Sequence, residues 1–472
     1  MLTYDFEHID GPIYEYLYRC IKNDILSGKL KPDEKLPSKR MFANNNGIST
    51  ITIQNAYDQL ISEGYVYTKK RKGYYVANME GVMRPVAAEE VHYDIELPKS
   101  EDVEYDFSRN GINPDNFPFT VWTRLSREVM SIRKDDLMTI SPPTGVRELR
   151  EAIAEHLKSF RGMLVDPNQI VVGAGTEYLY GLVIQLLGKN RKFAIENPGY
   201  RKLTWIYRQR DVECRFVSLD ENGMTVDGLE ESGADVAHIC PNHHFPTGIT
   251  MPAGRRHEIL SWANEKEGRY IIEDDYDSEF RLERKPIPTL FSVDGCEKVI
   301  YMNTFSKSLT PTIRISYMIL PVHLANRFYR EMFFYACTVS NFEQYTLAQF
   351  ISRGYFEKHI NRMRLYYIRQ RRKIIDVIRS SHLGEECRII ENDSGLHFLV
   401  QLDTELSDLT VEERLQEKGV KIRALSDYYF TEENTRQHCF IVNYSNLNEK
   451  EVLQVMELIR QTLKEEDCDN TF

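Results

Sequence analysis

Residues 303–314, NTFSKSLTPTIR, set Lys307 four residues behind the apolar run VIYMN (299–303), among hydroxyls, with Arg314 seven residues further on. Upstream, IIEDDYDSEF (271–280) places consecutive acids at the end of a second apolar run. KFAIEN (192–197), VAHIC (236–240), YIIED (270–274) and ISYMIL (315–320) repeat the pattern: a short apolar strand, then a polar loop, then a helical stretch. Such alternation predicts an α/β domain on a mostly parallel sheet, from about Tyr105 onward. Ligands of such sheets bind at the carboxyl ends of the strands, so the residues just after each run carry the chemistry.

Three more stretches sit at predicted strand ends. GAGTE (173–177) follows QIVV and precedes a helical run, where a glycine turn offers backbone N–H groups to a phosphate. ENPGY (196–200) ends with an aromatic able to stack on a flat ring. CPNHHFPTG (240–248) is a polar turn; His243 and His244 are adjacent, face different ways and have no third ligand spaced for a metal, so no metal site is expected. A lysine amine, a strand-end carboxylate, and an arginine among hydroxyls are together what pyridoxal 5′-phosphate (PLP) needs. The lysine forms the Schiff base, the carboxylate keeps the pyridine nitrogen protonated, and the arginine holds the phosphate with hydroxyl and N–H donors.

The first 77 residues have a different grammar. Ile13, Leu17, Ile21 and Ile25 mark one face of a first helix that ends near Gly28. Ser38 can cap a second helix reaching Asn46, and Ser49 a third, in which Ile53, Ala56, Tyr57, Leu60 and Ile61 form a buried stripe. Thr50, Thr52, Gln54, Asn55 and Gln59 lie on its other face, short polar groups able to reach base edges. YVYT and YYVA are then two strands joined by a basic tip, KKRKG. Three small helices and a basic hairpin make a winged helix-turn-helix, with the third helix suited to the major groove. From Lys29 to Gly73 nine basic residues stand against four acidic ones, inside a chain of net charge −11. That balance excludes a protein that coats nucleic acid over its whole surface and leaves one local basic face for a phosphate backbone. The candidate DNA contacts are Lys39, Arg40, Ser49, Thr50, Thr52, Gln54, Lys69, Lys70, Arg71 and Lys72.

With 472 residues, two or three domains are expected. The division is 1–77 for the winged domain, 78–104 for an acidic linker of little periodicity, and 105–472 for the α/β domain. Eight scattered cysteines (Cys20, Cys214, Cys240, Cys296, Cys337, Cys387, Cys439, Cys468) without CxxC or zinc-finger spacing, no signal-peptide pattern in MLTYDFEHID and no apolar run near membrane length predict a reduced, cytoplasmic protein with no membrane partner.

KLPSKRMFANNNGISTITIQNAYDQLISEGYVYTKKRKGYYV resembles the DNA-binding domain of the GntR family across nearly all of residues 11–77. LPSKR is similar to the family's Leu-Pro-Ser-x-Arg, which implies a phosphate contact for Arg40. The family often has an arginine just after the serine that starts the recognition helix; here it is Thr50, which leaves the operator sequence open. YDFSRNGINPDNFPFTVWTRL, PPTGVRELREAIAEHLKSFRGM, IENPGY, FPTG, RRHEILSWA, IEDDYDSEF and NTFSKSLTPTIRISY resemble, in order, the blocks of fold type I PLP-dependent aminotransferases, and more closely the MocR group, in which a GntR domain is fused to such a domain.

The resemblance implies Lys307 as the Schiff-base lysine and Asp274, 33 residues before it, as the partner of the pyridine nitrogen, with Asp275 as the alternative. It implies that Tyr276 meets the phenolic oxygen and Tyr200 stacks on the ring, while Arg314, Ser306, Thr304 and the Gly175-Thr176-Glu177 turn hold the phosphate. Two departures stand out. Phe245 replaces the asparagine of Asn-Pro-Thr-Gly, and Ile441, in FIVNYS (440–445), falls where these enzymes carry the arginine that forks onto a substrate carboxylate. An apolar group cannot make that contact, although Arg423 could substitute. The expected function is a PLP-dependent transcription regulator acting as a homodimer on operator DNA. It would sense PLP or an amino-compound adduct and could control vitamin B6 metabolism. The alternatives are an aminotransferase with an accessory DNA-binding domain, whose turnover the missing arginine weakens, and a DNA-binding dimer whose PLP is only structural.

Overall fold

Ser38 and Ser49 each accept a backbone N–H, from Met41 and Thr52, and so open the second and third helices of the N-terminal unit. Such caps contribute about 1 kcal/mol each. The computed structural model describes residues 2, 4–6, 11–78, 95–96, 103–108, 111–280, 287–391, 395–431 and 435–465. It divides into two units, Met1–Ser100 and Glu101–Phe472. Most of the acidic segment read as a linker lies outside the described residues.

In the first unit α1 (Ile13–Leu26), α2 (Lys39–Asn46) and α3 (Thr50–Ser62) precede an antiparallel hairpin of β1 (Val66–Lys69) and β2 (Gly73–Val76). Leu17, Ile21 and Ile25 pack with Phe42, Ile53, Ala56, Tyr57 and Leu60, closed from the hairpin by Val66 and Val76. Ile13 falls outside this core and is 41% exposed, because it is the first helical residue, a full turn before Leu17.

The second unit is carried by a sheet of β3 (Ile170–Gly173), β4 (Lys192–Asn197), β5 (Glu213–Asp220), β6 (Gly223–Met224), β7 (Val236–Ile239), β8 (Tyr270–Asp274), β9 (Val299–Thr304) and β10 (Ser316–Ile319). Their spatial order is β3-β10-β9-β8-β7-β4-β5-β6. The strands β9, β8, β7, β4 and β5 are parallel neighbours, while β10 lies antiparallel between β9 and β3. The β9–β10 connection, residues 305–315, is too short for the crossover a parallel pair requires. The carboxyl ends of β3, β4, β7, β8 and β9 therefore open on one edge, and the motif residues follow them: Gly175, Tyr200, the 240–248 turn, Asp274 and Lys307.

A smaller antiparallel sheet of β11 (Cys387–Ile390), β12 (His397–Leu402), β13 (Arg423–Ala424) and β14 (Cys439–Asn443) runs in the order β11-β12-β14-β13. Its side chains alternate as a half-buried sheet requires. Phe398, Val400, Phe440 and Val442 join the main core, while Leu399 and Ile441 cluster with Leu425 and Cys439 against Phe245 and Tyr428. Among the described residues no helix is long and apolar enough to cross a membrane.

Candidate functional site

Lys307 sits in the single helical turn Phe305–Ser308 at the end of β9. Its amine makes no hydrogen bond or ion pair among the described residues, and burial pushes its pKa down, against the opposing charge of Asp277. Desolvation shifts a lysine toward its uncharged, nucleophilic form. Beside it Ser306 Oγ is buried with no partner among the described residues, its backbone N–H bound by Thr304 Oγ1 at 3.1 Å. Thr304 Oγ1 also receives Ser316 Oγ at 2.8 Å. The Thr304 hydroxyl thus holds the turn together, while the hydroxyls of Ser306 and Ser308 are both without a partner among the described residues.

Arg314 approaches the start of α4 (Thr176–Leu187 in this second unit), where its Nη2 meets Glu177 Oε2 at 2.9 Å. Lys202, three residues beyond Gly199, pairs with the same carboxylate. Gly175 has φ +91°, and a Cβ there would lie 2.7 Å from Arg314 Cζ, so only glycine admits the guanidinium. Arg314 itself has φ +52°, a left-handed conformation that arginine adopts at a cost. The glycine turn, two exposed cations and an open hydroxyl form a cup of the chemistry a phosphate binds.

At the end of β8 the two neighbouring aspartates have opposite fates. Asp275 is saturated: Asn242 Nδ2 reaches Oδ1 at 2.6 Å, while Oδ2 takes Arg161 at 2.5 Å and Tyr301 OH at 2.7 Å. Arg256 in turn holds Asn242 Oδ1 at 2.9 Å. Asp274 Oδ2 accepts the Tyr180 hydroxyl at 2.5 Å and lies 3.5 Å from His238 Nε2, whose Nδ1 meets Tyr207 OH at 2.7 Å. Asp274 Oδ1 is buried and unpartnered among the described residues. A buried carboxylate oxygen without a donor is costly, and a protonated ring nitrogen would satisfy it. Of the two candidates left open by the sequence, Asp274 has the free oxygen.

Tyr276 OH lies 3.1 Å from His243 Nδ1, which also lies 2.7 Å from Asp277 Oδ2. Burial and Asp277 keep the Tyr276 phenol protonated. His244 turns the other way, to Thr247 Oγ1 at 2.7 Å and, through Nε2, to Glu196 at 3.5 Å. Burial pushes Glu196 up to about 8 and His244 down to about 3, so at neutral pH this is a contact between uncharged groups.

Tyr200 is 45% exposed and meets Phe245 edge-on, with ring centroids 6.1 Å apart. Phe245 in turn meets His397 at 5.2 Å and Tyr428 at 5.3 Å. Ile441 is buried in the apolar cluster that Phe245 and Tyr428 cover. Arg423 pairs across the strands with Ile441, but its Nη1 is held by Glu412 at 2.9 Å and lies 3.8 Å from Asp427. The surroundings of Ile441 and Phe245 are therefore apolar and aromatic. Tyr180, His238, Asn242, Arg161 and Lys202 escaped the sequence reading. Lys202 could have been found two residues after Tyr200, and Tyr180 one helical turn after Thr176; the others come together only through the sheet.

In the N-terminal unit Arg40, Lys70, Arg71 and Lys72 are exposed and free of ion pairs among the described residues. Lys39 leans on the Tyr74 ring at 5.7 Å, and Lys69 on Tyr75 at 4.5 Å with Asp33 4.0 Å away. Ser49 Oγ and Thr52 Oγ1 lie 2.8 Å apart and serve the cap of α3. Gln59 donates to Glu63 at 3.2 Å. The outward row of α3 is thus Thr50, Ile51, Gln54, Asn55 and Asp58, so Ile51 joins the row and Thr52 and Gln59 turn to their own helix.

Residues 108–459 match the family model for aminotransferase class I and II, and residues 13–76 that for bacterial regulatory proteins of the gntR family. The chain is 34% identical over 429 residues to the uncharacterized HTH-type transcriptional regulator YdeL of Bacillus subtilis (strain 168), covering 89% of this chain and 90% of YdeL. It is 29% identical over 465 residues to the probable rhizopine catabolism regulatory protein MocR of Rhizobium meliloti (96% and 94% covered). It is also 29% identical over 422 residues to the HTH-type pyridoxine biosynthesis transcriptional regulator PdxR of Corynebacterium glutamicum (89% and 90% covered). The multiple substrate aminotransferase of Thermococcus profundus superposes with a TM-score of 0.68 at 23% identity, covering 79% of this chain and 93% of that one, a likeness of fold. The winged unit and the lysine-bearing α/β unit together place the chain in the GntR family of transcription regulators, within the MocR group that joins this DNA-binding domain to one of aminotransferase class I and II.

Proposed function

We propose that this regulator holds PLP on Lys307 and that PLP, or a close vitamer, is the effector that sets its affinity for operator DNA. The unpartnered Asp274 Oδ1 carries the reading, since it is a buried acceptor that a protonated pyridine nitrogen completes. PLP, when bound, supplies an aldehyde to a lysine amine and an electron-withdrawing ring. Lys307 presents the amine, Asp274 would hold the ring nitrogen, Tyr276 the phenolic oxygen and Tyr200 a ring face. Arg314, the Ser306 hydroxyl and the N–H groups of Thr176 and Glu177 would hold the phosphate; the Gly175 N–H, expected to join them, instead donates to Gly173 O at 2.9 Å and closes the turn. Lys202, paired to Glu177, adds positive charge at the same place.

Ile441 supports PLP over an amino acid as the signal. A carboxylate delivered beside Ile441, Phe245 and Tyr428 finds no fork, and the loss of a charged hydrogen-bonded pair is on the order of 1.5–3 kcal/mol, about ten- to a hundredfold in affinity. The similarity to PdxR, named for pyridoxine biosynthesis, supports vitamin B6 metabolism as the regulated process. A homodimer suits an operator of two half-sites and is checked by light scattering.

The deciding experiment titrates the apo-protein on its operator with PLP and then with a panel of amino acids. A shift of DNA affinity with PLP alone is expected. No shift with PLP, together with a shift by one amino acid in the PLP-loaded protein, would make that amino acid the effector.

A further inference from the structure

Ile51 is 70% exposed on a helix that otherwise turns its large apolar side chains inward. It stands in the first turn of α3, and with Gln54, Asn55 and Asp58 it follows the i, i+3, i+4, i+7 spacing of a single helical face. Neighbouring Thr52 is half-buried, with its hydroxyl and N–H both engaged with Ser49 Oγ. The first turn therefore offers only two outward side chains, the hydroxyl of Thr50 and the bare alkyl group of Ile51.

We infer that Ile51 is a specificity-determining residue that reads the C5-methyl group of a thymine in the operator. The N-terminal residues of the reading helix in a helix-turn-helix are those that meet base edges. Isoleucine has neither donor nor acceptor, so it cannot recognise guanine, adenine or cytosine by hydrogen bonding. The thymine methyl is the one apolar mark in the major groove. Arg40 and the wing tip Lys70-Arg71-Lys72, exposed and free of ion pairs among the described residues, supply phosphate-binding charge to the same small unit. That charge favours DNA over a protein surface as what covers Ile51.

The test uses the full chain loaded with PLP. A duplex selected from random DNA is resynthesised with deoxyuridine in place of each thymine in turn, a change that removes only the methyl group. At least one replacement should weaken binding by the wild-type protein about three- to tenfold, the effect of one buried methyl. Ile51→Ala should bind the thymine duplex more weakly and lose the thymine–uridine difference at that position, with an unchanged melting temperature and salt slope. The inference is overturned if no thymine responds in the wild type, or if Ile51→Ala keeps the full difference. Absence of any sequence-selective duplex would overturn the inference together with DNA reading by this unit, a result distinct from either.

Discussion

The Tyr180 hydroxyl donates to Asp274 Oδ2 at 2.5 Å, while Asp274 Oδ1, on the same carboxylate, is buried without a partner among the described residues. One oxygen is thus fixed by the protein and the other has no donor among the described residues. Tyr180 stays protonated because burial and the Asp274 charge raise its pKa well above the ordinary phenol range. It acts as a permanent donor that orients the carboxylate. Tyr180→Phe should weaken PLP binding about ten- to a hundredfold, the span for a hydrogen bond to a charged group. Asp274→Asn should weaken it further, and Lys307→Ala should abolish the borohydride-reducible yellow species altogether. Absorbance titration of apo-protein measures all three. Wild-type affinity in Tyr180→Phe would remove Tyr180 from the site.

Gly175→Ala tests the phosphate cup without altering a charge. The added methyl would collide with the Arg314 guanidinium, and φ +91° is strained for any residue with a Cβ. PLP affinity should fall at least about tenfold, the cost of losing one charge-assisted contact. Binding of pyridoxal, which lacks the phosphate, should change little. Equal losses for the two ligands would place the fault in the fold rather than in the cup.

The strand ends and the glycine turn were legible because each is a local pattern: an apolar run, then a residue able to do chemistry. Lys307, Asp274 and Tyr200 follow this rule, while Arg314 stands just before the strand Ser316–Ile319. The different surroundings of Asp274 and Asp275 were not legible, because they depend on Arg161, 114 positions away, and on Asn242 in another turn. In the winged unit the helical period identified the buried stripe. It assigned Thr52 and Gln59 to the DNA face, yet both bond to residues on their own helix or its caps, Ser49 and Glu63. Ile51 was passed over because a sequence pattern counts isoleucine as core, and only the helix phase turns it outward.

Glu196 makes stability depend on pH. Its folded pKa of about 8 lies above the ordinary 4.5 because of burial. Between these values the native protein keeps a proton that the unfolded chain has released. The contribution is therefore fully present below pH 4.5 and is lost as pH rises to 8. Glu196→Gln, which keeps an acceptor for the Cys240 N–H, should flatten this decline by at most about 1.4 kcal/mol per pH unit. His244, depressed to about 3 from 6.5, acts in the opposite sense, and its contribution is lost as pH falls from 6.5 toward 3. Denaturant melts from pH 5 to 8 read both limbs, and identical slopes in wild type and Glu196→Gln would refute the neutral carboxyl.

The basic residues of the winged unit should not contribute equally to DNA binding. Each phosphate contact releases counterions and adds about 0.9 to the slope of log K against log salt. Lys70, Arg71 and Lys72 are exposed and free of ion pairs among the described residues, as is Arg40. Lys69 is held over the rings of Tyr75 and Tyr67 and near Asp33, and Lys39 rests on Tyr74. Moving either onto a phosphate gives up an existing interaction. Replacing Lys70, Arg71 and Lys72 together by alanine should lower the slope by about 2 to 3, and Arg40→Ala by about 1. Lys69→Ala should lower it by less than either. Binding measured by fluorescence anisotropy between 50 and roughly 200 mM salt, the range over which such contacts are lost, distinguishes these cases. A Lys69→Ala slope change as large as that of the whole wing tip would show that the lysine leaves its aromatic support to reach the DNA, and that exposure in the free protein does not rank the phosphate contacts.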